Sequence, residues 1–182
     1  MGAHENLEHA EHAEHASHSN KKIALLISVL ALFLAFSETL GKSAQTAAIA
    51  DNIKASDTWN FFQAKTVRQT TLRAAAEGLA VQLPTITNEE SRAAITKQIE
   101  NWRNTVNRYE SDPREKDGRK ELRGMAEKVE DERDTWLAKY HEYEFASAAF
   151  QIGIVLASAA VITSIVTLAW VAGLAGVLGL GF

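Results

Sequence analysis

Residues 145–182 read FASAAFQIGIVLASAAVITSIVTLAWVAGLAGVLGLGF and contain no Asp, Glu, Lys, Arg or His. A helix needs about 20 apolar residues to cross a hydrocarbon core of about 30 Å, and this stretch has roughly twice that number. Charged residues, which cost about 2.5–3.5 kcal/mol each at the bilayer centre, are absent from it. We therefore predict two transmembrane helices, residues 145–163 and 167–182, that form a hairpin. The alternative is a single tilted span with a glycine-rich re-entrant tail.

A second apolar segment lies near the amino end of the chain. Lys21 and Lys22 precede the sequence IALLISVLALFLAF, which occupies residues 23–36. Extended to residue 40, this segment forms a helix of about 27 Å at 1.5 Å per residue. A signal peptide is the alternative, but about twenty residues precede the lysines, which is long for the basic region of such a peptide. We predict an uncleaved first transmembrane helix over residues 21–41.

Two charged residues lie near the end of this first span. Glu38 precedes Lys42 by four positions, which is the favourable order for an ion pair on a helix. An acidic residue at membrane depth indicates a functional site, and it normally faces the interior of a helix bundle. The alternative is an interfacial pair that ends the span, with the lysine extended toward water. The sequence thus predicts an intramembrane or interfacial ion pair of Glu38 and Lys42.

The middle of the chain, residues 42–144, has a helical pattern throughout. Pro84 ends a first helix, because the ring of proline disfavours helical geometry in the residue before it. Asp, Pro and Gly between residues 111 and 118 predict a turn, and a third helix begins near residue 119. Apolar residues recur at spacings of three and four, which is the pattern of a coiled-coil seam. They are Ile95, Ile99, Trp102, Val106 and Tyr109 in the second helix, and Leu122, Met125, Val129, Trp136, Tyr140 and Tyr143 in the third, where charged Glu132 fills the one vacant place.

The first helix has a less regular pattern, in which alanine fills many of the places between larger apolar residues. Those larger residues are Ile49, Ile53, Val67, Leu72, Leu79 and Leu83. Aromatic residues are also clustered near its middle, and they cannot all face one stripe. We therefore predict a helical bundle or coiled coil with packing or interface positions at Trp59, Phe62, Gln63, Trp102 and Trp136.

The amino-terminal residues 1–20 repeat a Glu-His-Ala unit. Histidine recurs every third position, at His9, His12, His15 and His18. Neutral imidazole is the commonest protein ligand of metals, and short histidine-rich tracts bind them. The functional interpretation is a weak site for a divalent cation. The alternative is a solvated, pH-responsive tail with no physiological metal and hence no cofactor.

The composition limits the classes of function. The chain has no cysteine, which excludes disulfides, thiolate metal sites and cysteine nucleophiles. Basic and acidic residues are nearly balanced in the middle region, which argues against a nucleic-acid surface. The residues show no catalytic motif, nucleotide-binding loop or small-molecule site.

We therefore predict a non-enzymatic, homo-oligomeric scaffold or interaction protein, a multi-pass protein of the bacterial inner membrane with its amino terminus in the cytoplasm. The orientation rests on Lys21 and Lys22 before the first span, because positive residues favour the cytoplasmic side. The alternative function is a metal- or pH-responsive sensor or transporter accessory that uses the histidine tail.

Two stretches have the features of a known family. They are DTWNFFQAKTVRQT at residues 57–70 and FQIGIVLASAAVIT at residues 150–163, and they accompany the amino-terminal EHAEHAEHASH. Together they resemble an uncharacterised bacterial membrane-protein family, the domain of unknown function 4337. The resemblance implies one amino-terminal span, a helical soluble region and a carboxyl-terminal pair of spans, and it implies no activity. Many members have basic residues in the hairpin turn, where this chain has Ser-Ile-Val-Thr at residues 164–167.

Overall fold

The structure, a computed structural model, describes the backbone of residues 3–182 and the side chains of residues 21–182. Four α-helices account for most of it: α1 (Ala3–Gln82), α2 (Glu89–Glu110), α3 (Arg119–Thr163) and α4 (Val166–Gly179). About 90% of the chain is helical, and the described residues contain no strand. The predicted all-α class is therefore confirmed.

The chain divides into two compact units. The apolar unit comprises Met1–Ala47 and Trp136–Phe182, and the polar unit comprises Ala48–Thr135. Within the described residues, two helices are long and apolar enough to cross a membrane by length and composition, namely those in Lys21–Thr85 and Arg119–Thr163. The carboxyl-terminal helix α4 is also apolar, but it has only 14 residues.

Local sequence signals fix the ends of the helices in the polar unit. Helix α1 ends at Gln82 and continues as a short 3₁₀ helix, Leu83–Thr85, which contains Pro84. Helix α2 begins after Asn88, whose side chain accepts a hydrogen bond from the backbone N–H of Ser91 at 2.9 Å. This bond satisfies one of the free N–H groups of the first turn. Two glutamates in that turn also stabilise the helix, because their negative charges lie near the positive end of its dipole.

The connection between α2 and α3 is a closed turn. The carboxylate of Glu121 accepts hydrogen bonds from the Ser111 hydroxyl at 2.6 Å and from the Asp112 backbone N–H at 3.1 Å. Lys116 has a φ of 56° in this turn, and its N–H donates to the carbonyl of Asp112 at 2.8 Å. Gly118 is buried at the start of α3, where a Cβ would lie 2.7 Å from the Cα of Ser111. Close packing therefore requires a glycine at residue 118.

Small residues form the interior of the apolar unit. Ala157, Ala160 and Ala172 are almost fully buried and pack with Ile23. Leu30 and Phe150 form a second buried cluster with Ala146, and Phe33 stacks on Phe150 with ring centroids 5.8 Å apart. Alanine at these positions allows the helix backbones to approach one another closely.

Helices α3 and α4 form an antiparallel hairpin in this unit. The chain reverses at Ser164, which has a φ of 58°, and the break lies in the stretch where the sequence predicts a turn. A Cβ at Gly179 would lie 2.9 Å from Phe150, and a Cβ at Gly153 would lie 3.2 Å from the carbonyl oxygen of Ala172. Phe182 and Phe145 contact each other at 5.9 Å between ring centroids. That each arm crosses a bilayer stays a prediction.

The predicted seam of α3 is corrected at Met125 and at Trp136, both of which are exposed. Leu122 and Val129 are buried as expected, but Met125 is exposed and Ala126 takes the buried place beside it. Residues 122, 126 and 129 keep the spacing of three and four, so the seam is shifted by one position toward the smaller side chain. Hydrophobicity alone favours methionine, whereas the close approach of the helices requires alanine.

Candidate functional site

The polar unit contains a buried lysine at its centre. Lys65, on α1, is almost fully buried, and its Nζ lies 2.6 Å from Oδ2 of Asp117 in the α2–α3 turn. The ammonium group also lies over the rings of Phe61 and Tyr109, at 5.7 Å and 5.1 Å from their centroids. A buried charge requires a paired counter-charge, and aromatic faces add attraction for a cation. Lys65 thus joins α1 to both α2 and the turn.

One helical turn after Lys65, a second buried polar residue connects the same elements. Gln69 donates from Nε2 to the carbonyl oxygen of Val106 at 3.2 Å and to Oε2 of Glu110 at 2.9 Å. Its Oε1 accepts a hydrogen bond from Arg119 at 2.7 Å. All the polar atoms of the amide are therefore engaged, and no buried side-chain nitrogen or oxygen among residues 21–182 lacks a partner.

Arg119, the first residue of α3, completes this network. Its Nε donates to the Thr66 hydroxyl at 2.9 Å, and its Nη1 donates to Glu110 at 2.8 Å as well as to Gln69. The guanidinium also lies 5.0 Å from the centroid of the Phe62 ring. A planar group with five fixed donors suits such a junction, because it binds several acceptors in set directions.

Hydrogen bonds to Glu110 change its acidity. The Gln69 amide, together with the positive charge of Arg119, holds the pKa of Glu110 below its ordinary value. In the same way, the hydroxyl of Ser111 and the backbone N–H of Asp112 lower the pKa of Glu121. Both carboxylates are stabilised in their ionised form, since each accepts hydrogen bonds that protonation would weaken.

The aromatic residues of the cluster connect α1 to α3. Trp59 donates from its indole N–H to Oε1 of Glu130 at 3.0 Å, and its ring packs edge-on against Phe62 with centroids 5.4 Å apart. The guanidinium of Arg123 lies 5.6 Å from the Phe62 ring. Trp59 and Phe62 therefore contribute both apolar area and directional contacts.

This network is suited to holding helices together. Lys65 is paired with Asp117 and Arg119 with Glu110, and within residues 21–182 no group of three His, Asp or Glu side chains is placed to hold a metal ion. One groove in the polar unit has a volume of about 420 Å³ and is open to solvent. Its walls include Ile53, Phe61 and Met125, and we call it the α1–α3 groove.

The structure brings some of the predicted packing residues together and leaves others outside the network. Trp59 and Phe62 lie in it and are half-buried, whereas Gln63 is exposed. Trp102 is half-buried on α2, in the polar unit. Trp136 belongs to the apolar unit, where it is exposed and Lys139 lies 4.5 Å from its ring centroid.

The predicted ion pair and the predicted metal site both stay predictions. Glu38 and Lys42 are both exposed. Among residues 21–182 the ion pairs do not include one between these two side chains, so the Glu38–Lys42 pair stays a prediction from helical spacing. The tail histidines His9, His12, His15 and His18 lie outside the residues whose side chains the structure describes.

Sequence reasoning missed the residues at the centre of the network, namely Lys65, Gln69 and Arg119. A signal was present for the first two. Phe62, Lys65, Gln69, Leu72 and Ala76 follow one another at spacings of three and four, so the polar pair lies within a helical seam. Arg119 had no such signal, because its partners are on other helices.

A family model described as a domain of unknown function (DUF4337) matches residues 19–182 of the chain. The chain belongs to this family. No curated protein and no solved structure matches it. The DUF4337 match includes the segment from Trp59 to Gln69, which supplies the α1 side of the network. It also includes α3, α4 and the part of α1 that begins at residue 19.

Proposed function

We propose that this DUF4337 protein is a non-enzymatic integral membrane scaffold or interaction protein that forms homo-oligomers. Its apolar unit provides the spans at residues 21–41, 145–163 and 167–182, and its polar unit is the water-facing interaction module. The observation that carries the proposal is the placement of large and small side chains in the apolar unit.

In that unit, most of the buried apolar residues are small, and many of the large apolar residues are exposed. Ala157, Ala160 and Ala172 are buried, whereas many bulky residues are exposed: Leu25, Leu32, Phe36, Ile152, Val155, Ile162, Trp170 and Val177. A soluble domain buries its large apolar side chains, because contiguous exposed apolar surface promotes association. Membrane helices instead pack through small residues and present large ones to lipid. The arrangement therefore supports insertion in a bilayer.

The hydroxyl groups of the apolar unit are compatible with a bilayer. Ser28 donates to the carbonyl of Ala24, and Ser158 donates to that of Ile154, each one turn earlier in the same helix. Thr39 and Thr163 do likewise. Polar groups in hydrocarbon must find partners within the protein, and these four side chains have them.

The length of α4 is compatible with the third predicted span. Its 14 residues give a helix of about 21 Å, which is shorter than a hydrocarbon core of about 30 Å. However, the chain continues to Phe182, which contacts Phe145 at the other end of the hairpin. The hairpin arms therefore match each other in extent, and a short span is accommodated by local thinning of the bilayer.

Fractionation tests membrane insertion, and light scattering tests the scaffold role. We expect the protein to stay with membranes in an alkaline carbonate wash and to dissolve in mild detergent. In detergent, each particle is expected to contain more than one copy of the chain. Recovery of folded, full-length protein in a detergent-free aqueous fraction would contradict insertion. A monodisperse monomer with cooperative unfolding would contradict the homo-oligomeric scaffold.

We further propose that the amino terminus faces the cytoplasm and the polar unit faces the periplasm, because Lys21 and Lys22 directly precede the first span. A protease added to spheroplasts is expected to remove a tag inserted at residue 115, in the exposed α2–α3 turn. Protection of that tag until the membrane is opened would reverse the orientation.

A further inference from the structure

Helix α1 has a second seam that the polar unit leaves exposed. Ten residues of α1 recur at spacings of three and four and are all exposed, and we call them the outer stripe: Ile49, Ile53, Ser56, Asn60, Ala64, Val67, Thr71, Ala74, Gly78 and Val81. Five of them, at residues 53, 60, 67, 74 and 81, are spaced by seven residues. A spacing of seven is the repeat by which one helix packs along another.

The outer stripe lies opposite the seam that α1 uses inside the polar unit. Gln69, at the centre of the inner seam, follows Asn60 by nine residues, which is two and a half turns of helix. Helices α2 and α3 therefore pack on one side of α1 and leave the other side open. Gly78 agrees with this, since a Cβ built there would meet no atom within 4 Å.

The charges of α1 avoid the outer stripe. Seven charged residues occur between residues 49 and 81, and none falls on the ten positions: Asp51, Lys54, Asp57, Lys65, Arg68, Arg73 and Glu77. Val67 and Val81 are 65% and 78% exposed, so apolar area is present on this face. The Thr71 hydroxyl donates to the carbonyl of Val67 at 2.9 Å, which satisfies its donor within the helix. A solvated helix face has no reason to exclude charge over nine turns.

We propose that the outer stripe binds the same stripe of a second copy of this chain, as a parallel, in-register, two-stranded coiled coil. The inference rests on the proposed homo-oligomeric function and names its surface and its partner. The heptad positions include β-branched Ile53, Val67 and Val81, and β-branched residues at one seam position favour two strands.

Asn60 specifies the register of this pair. It is the one amide side chain in the outer stripe, and burial of an amide requires a hydrogen-bonding partner. In a parallel pair without a shift, Asn60 of one copy faces Asn60 of the other, and each amide has both a donor and an acceptor for its counterpart. In an antiparallel pair aligned on the middle of the stripe, Asn60 would face a position near residue 70 and lose this partner. A polar residue at one seam position fixes the register of coiled coils in this way.

The size of the outer stripe is sufficient for a specific contact. Residues 49–81 span about 48 Å as a helix, and a helix is about 10 Å wide. Two copies would thus bury roughly 1,000 Å² in total, which is near the smallest area of specific protein interfaces. The α1–α3 groove is a less suitable surface for a second copy, because charged Lys54 and Asp57 form part of its wall.

Disulfide trapping in native membranes tests the proposal, because the chain has no cysteine of its own. Val67→Cys and Arg68→Cys form a matched pair, since both residues are exposed and adjacent, but only Val67 belongs to the outer stripe. We expect oxidation to give a covalent dimer about tenfold faster from Val67→Cys, because disulfides require Cβ atoms about 4 Å apart. Ala74→Cys should behave as Val67→Cys does, since Ala74 is an exposed heptad position of the outer stripe.

A second substitution tests the role of Asn60. Asn60→Lys in the Val67→Cys background is expected to reduce dimer formation about tenfold, since two lysines would face each other across the seam. Asn101→Lys, the same change at an exposed position of α2, should leave the rate unchanged.

The outcomes separate this inference from the proposed function. If light scattering finds an oligomer but Val67→Cys and Arg68→Cys react equally, the inference is wrong and the scaffold proposal stands. Trapping through Phe61→Cys or Met125→Cys in place of Val67→Cys would likewise move the contact to the α1–α3 groove. A monomer by light scattering would overturn both proposals.

Discussion

Lys65 and Asp117 form an ion pair of 2.6 Å in which the two partners have very different surroundings. The lysine side chain is 6% exposed, whereas the aspartate side chain is 41% exposed. The desolvation cost of the pair therefore falls mainly on the lysine. Loss of the carboxylate leaves a buried charge without its partner, while loss of the ammonium leaves an aspartate that water can solvate.

This asymmetry predicts unequal effects of removing each partner. We expect Asp117→Asn to destabilise the polar unit by about 2 kcal/mol, because a buried charge loses its counter-charge and a charge-assisted hydrogen bond. Lys65→Met should cost less, since the flexible methionine side chain can pack beside the rings of Phe61 and Tyr109. Thermal unfolding in detergent measures both effects. Glu115→Gln in the same turn is the control, and equal losses from the two variants would disprove the asymmetry.

The lowered pKa of Glu110 predicts a loss of stability in acid. A carboxylate whose pKa is lower in the folded state stabilises that state fully above its unfolded value of about 4.3. This stabilisation is lost as the pH falls through the lower folded value. We expect Glu110→Gln to be less stable at neutral pH and to lose less stability than the native chain does as the pH falls below about 4.3. Glu100→Gln, an exposed carboxylate of α2, should retain the native acid sensitivity.

Gly118, just before α3, and Gly124, within it, should respond in opposite ways to substitution by alanine. At Gly118 an added Cβ would collide with the backbone of Ser111 and Asp112 and with the Glu121 carboxylate, so Gly118→Ala should cost about 1–3 kcal/mol. At Gly124 nothing lies within 4 Å, so Gly124→Ala should stabilise the helix by up to about 1 kcal/mol. Unfolding midpoints of the two variants measure the difference. If Gly118→Ala is as stable as Gly124→Ala, the turn is not closed as described.

The apolar unit contains a similar pair of glycines, Gly179 and Gly173, with crowded and open surroundings respectively. A Cβ at Gly179 would lie 2.9 Å from Phe150 and 3.2 Å from the carbonyl of Ala146, whereas a Cβ at Gly173 would meet nothing within 4 Å. We expect Gly179→Ala to lower the unfolding midpoint of the detergent-solubilised protein by several degrees, because α4 must move away from α3. Gly173→Ala should leave the midpoint within one or two degrees of the native value. The reverse order would contradict the α3–α4 hairpin.

We predict that the chain binds a divalent metal ion through the histidines of its amino-terminal tail and through no other histidine. Calorimetric titration of the full chain with Zn²⁺ should give an affinity that falls at least tenfold when His9, His12, His15 and His18 are all changed to alanine. His141→Ala should not change it, since His141 lies at the other end of the chain beside Glu144. Millimolar affinity of the native chain would leave the sensor alternative without support.

Local signals in the sequence predicted the ends of the helices well. Pro84 lies just after the end of α1, Asn88 caps α2, and the Asp, Pro and Gly between residues 111 and 118 form the turn before α3. Each of these signals acts on neighbouring backbone groups. They could therefore be recognised without knowledge of the tertiary contacts.

The faces of the helices were harder to predict, because helix packing selects for size as well as hydrophobicity. Ile49, Ile53 and Val67 are exposed, while Ala48, Ala55 and Ala76 are buried on the other side of α1. A pattern based on large apolar residues thus mixed three residues of the outer stripe with Leu72 of the inner seam. The buried lysine could not be predicted either, because its burial depends on Asp117, which is 52 residues away in the chain.

The closure of the α2–α3 turn has a consequence for how the polar unit folds. Glu121 reaches back only ten residues to Ser111, so forming this contact costs little loop entropy. Contacts of Lys65 and Arg119 across 50 or more residues must instead wait for distant segments to meet. We infer that the α2–α3 hairpin forms first and that α1 joins it in the slow step, so that turn substitutions alter the refolding rate more than substitutions on α1 do.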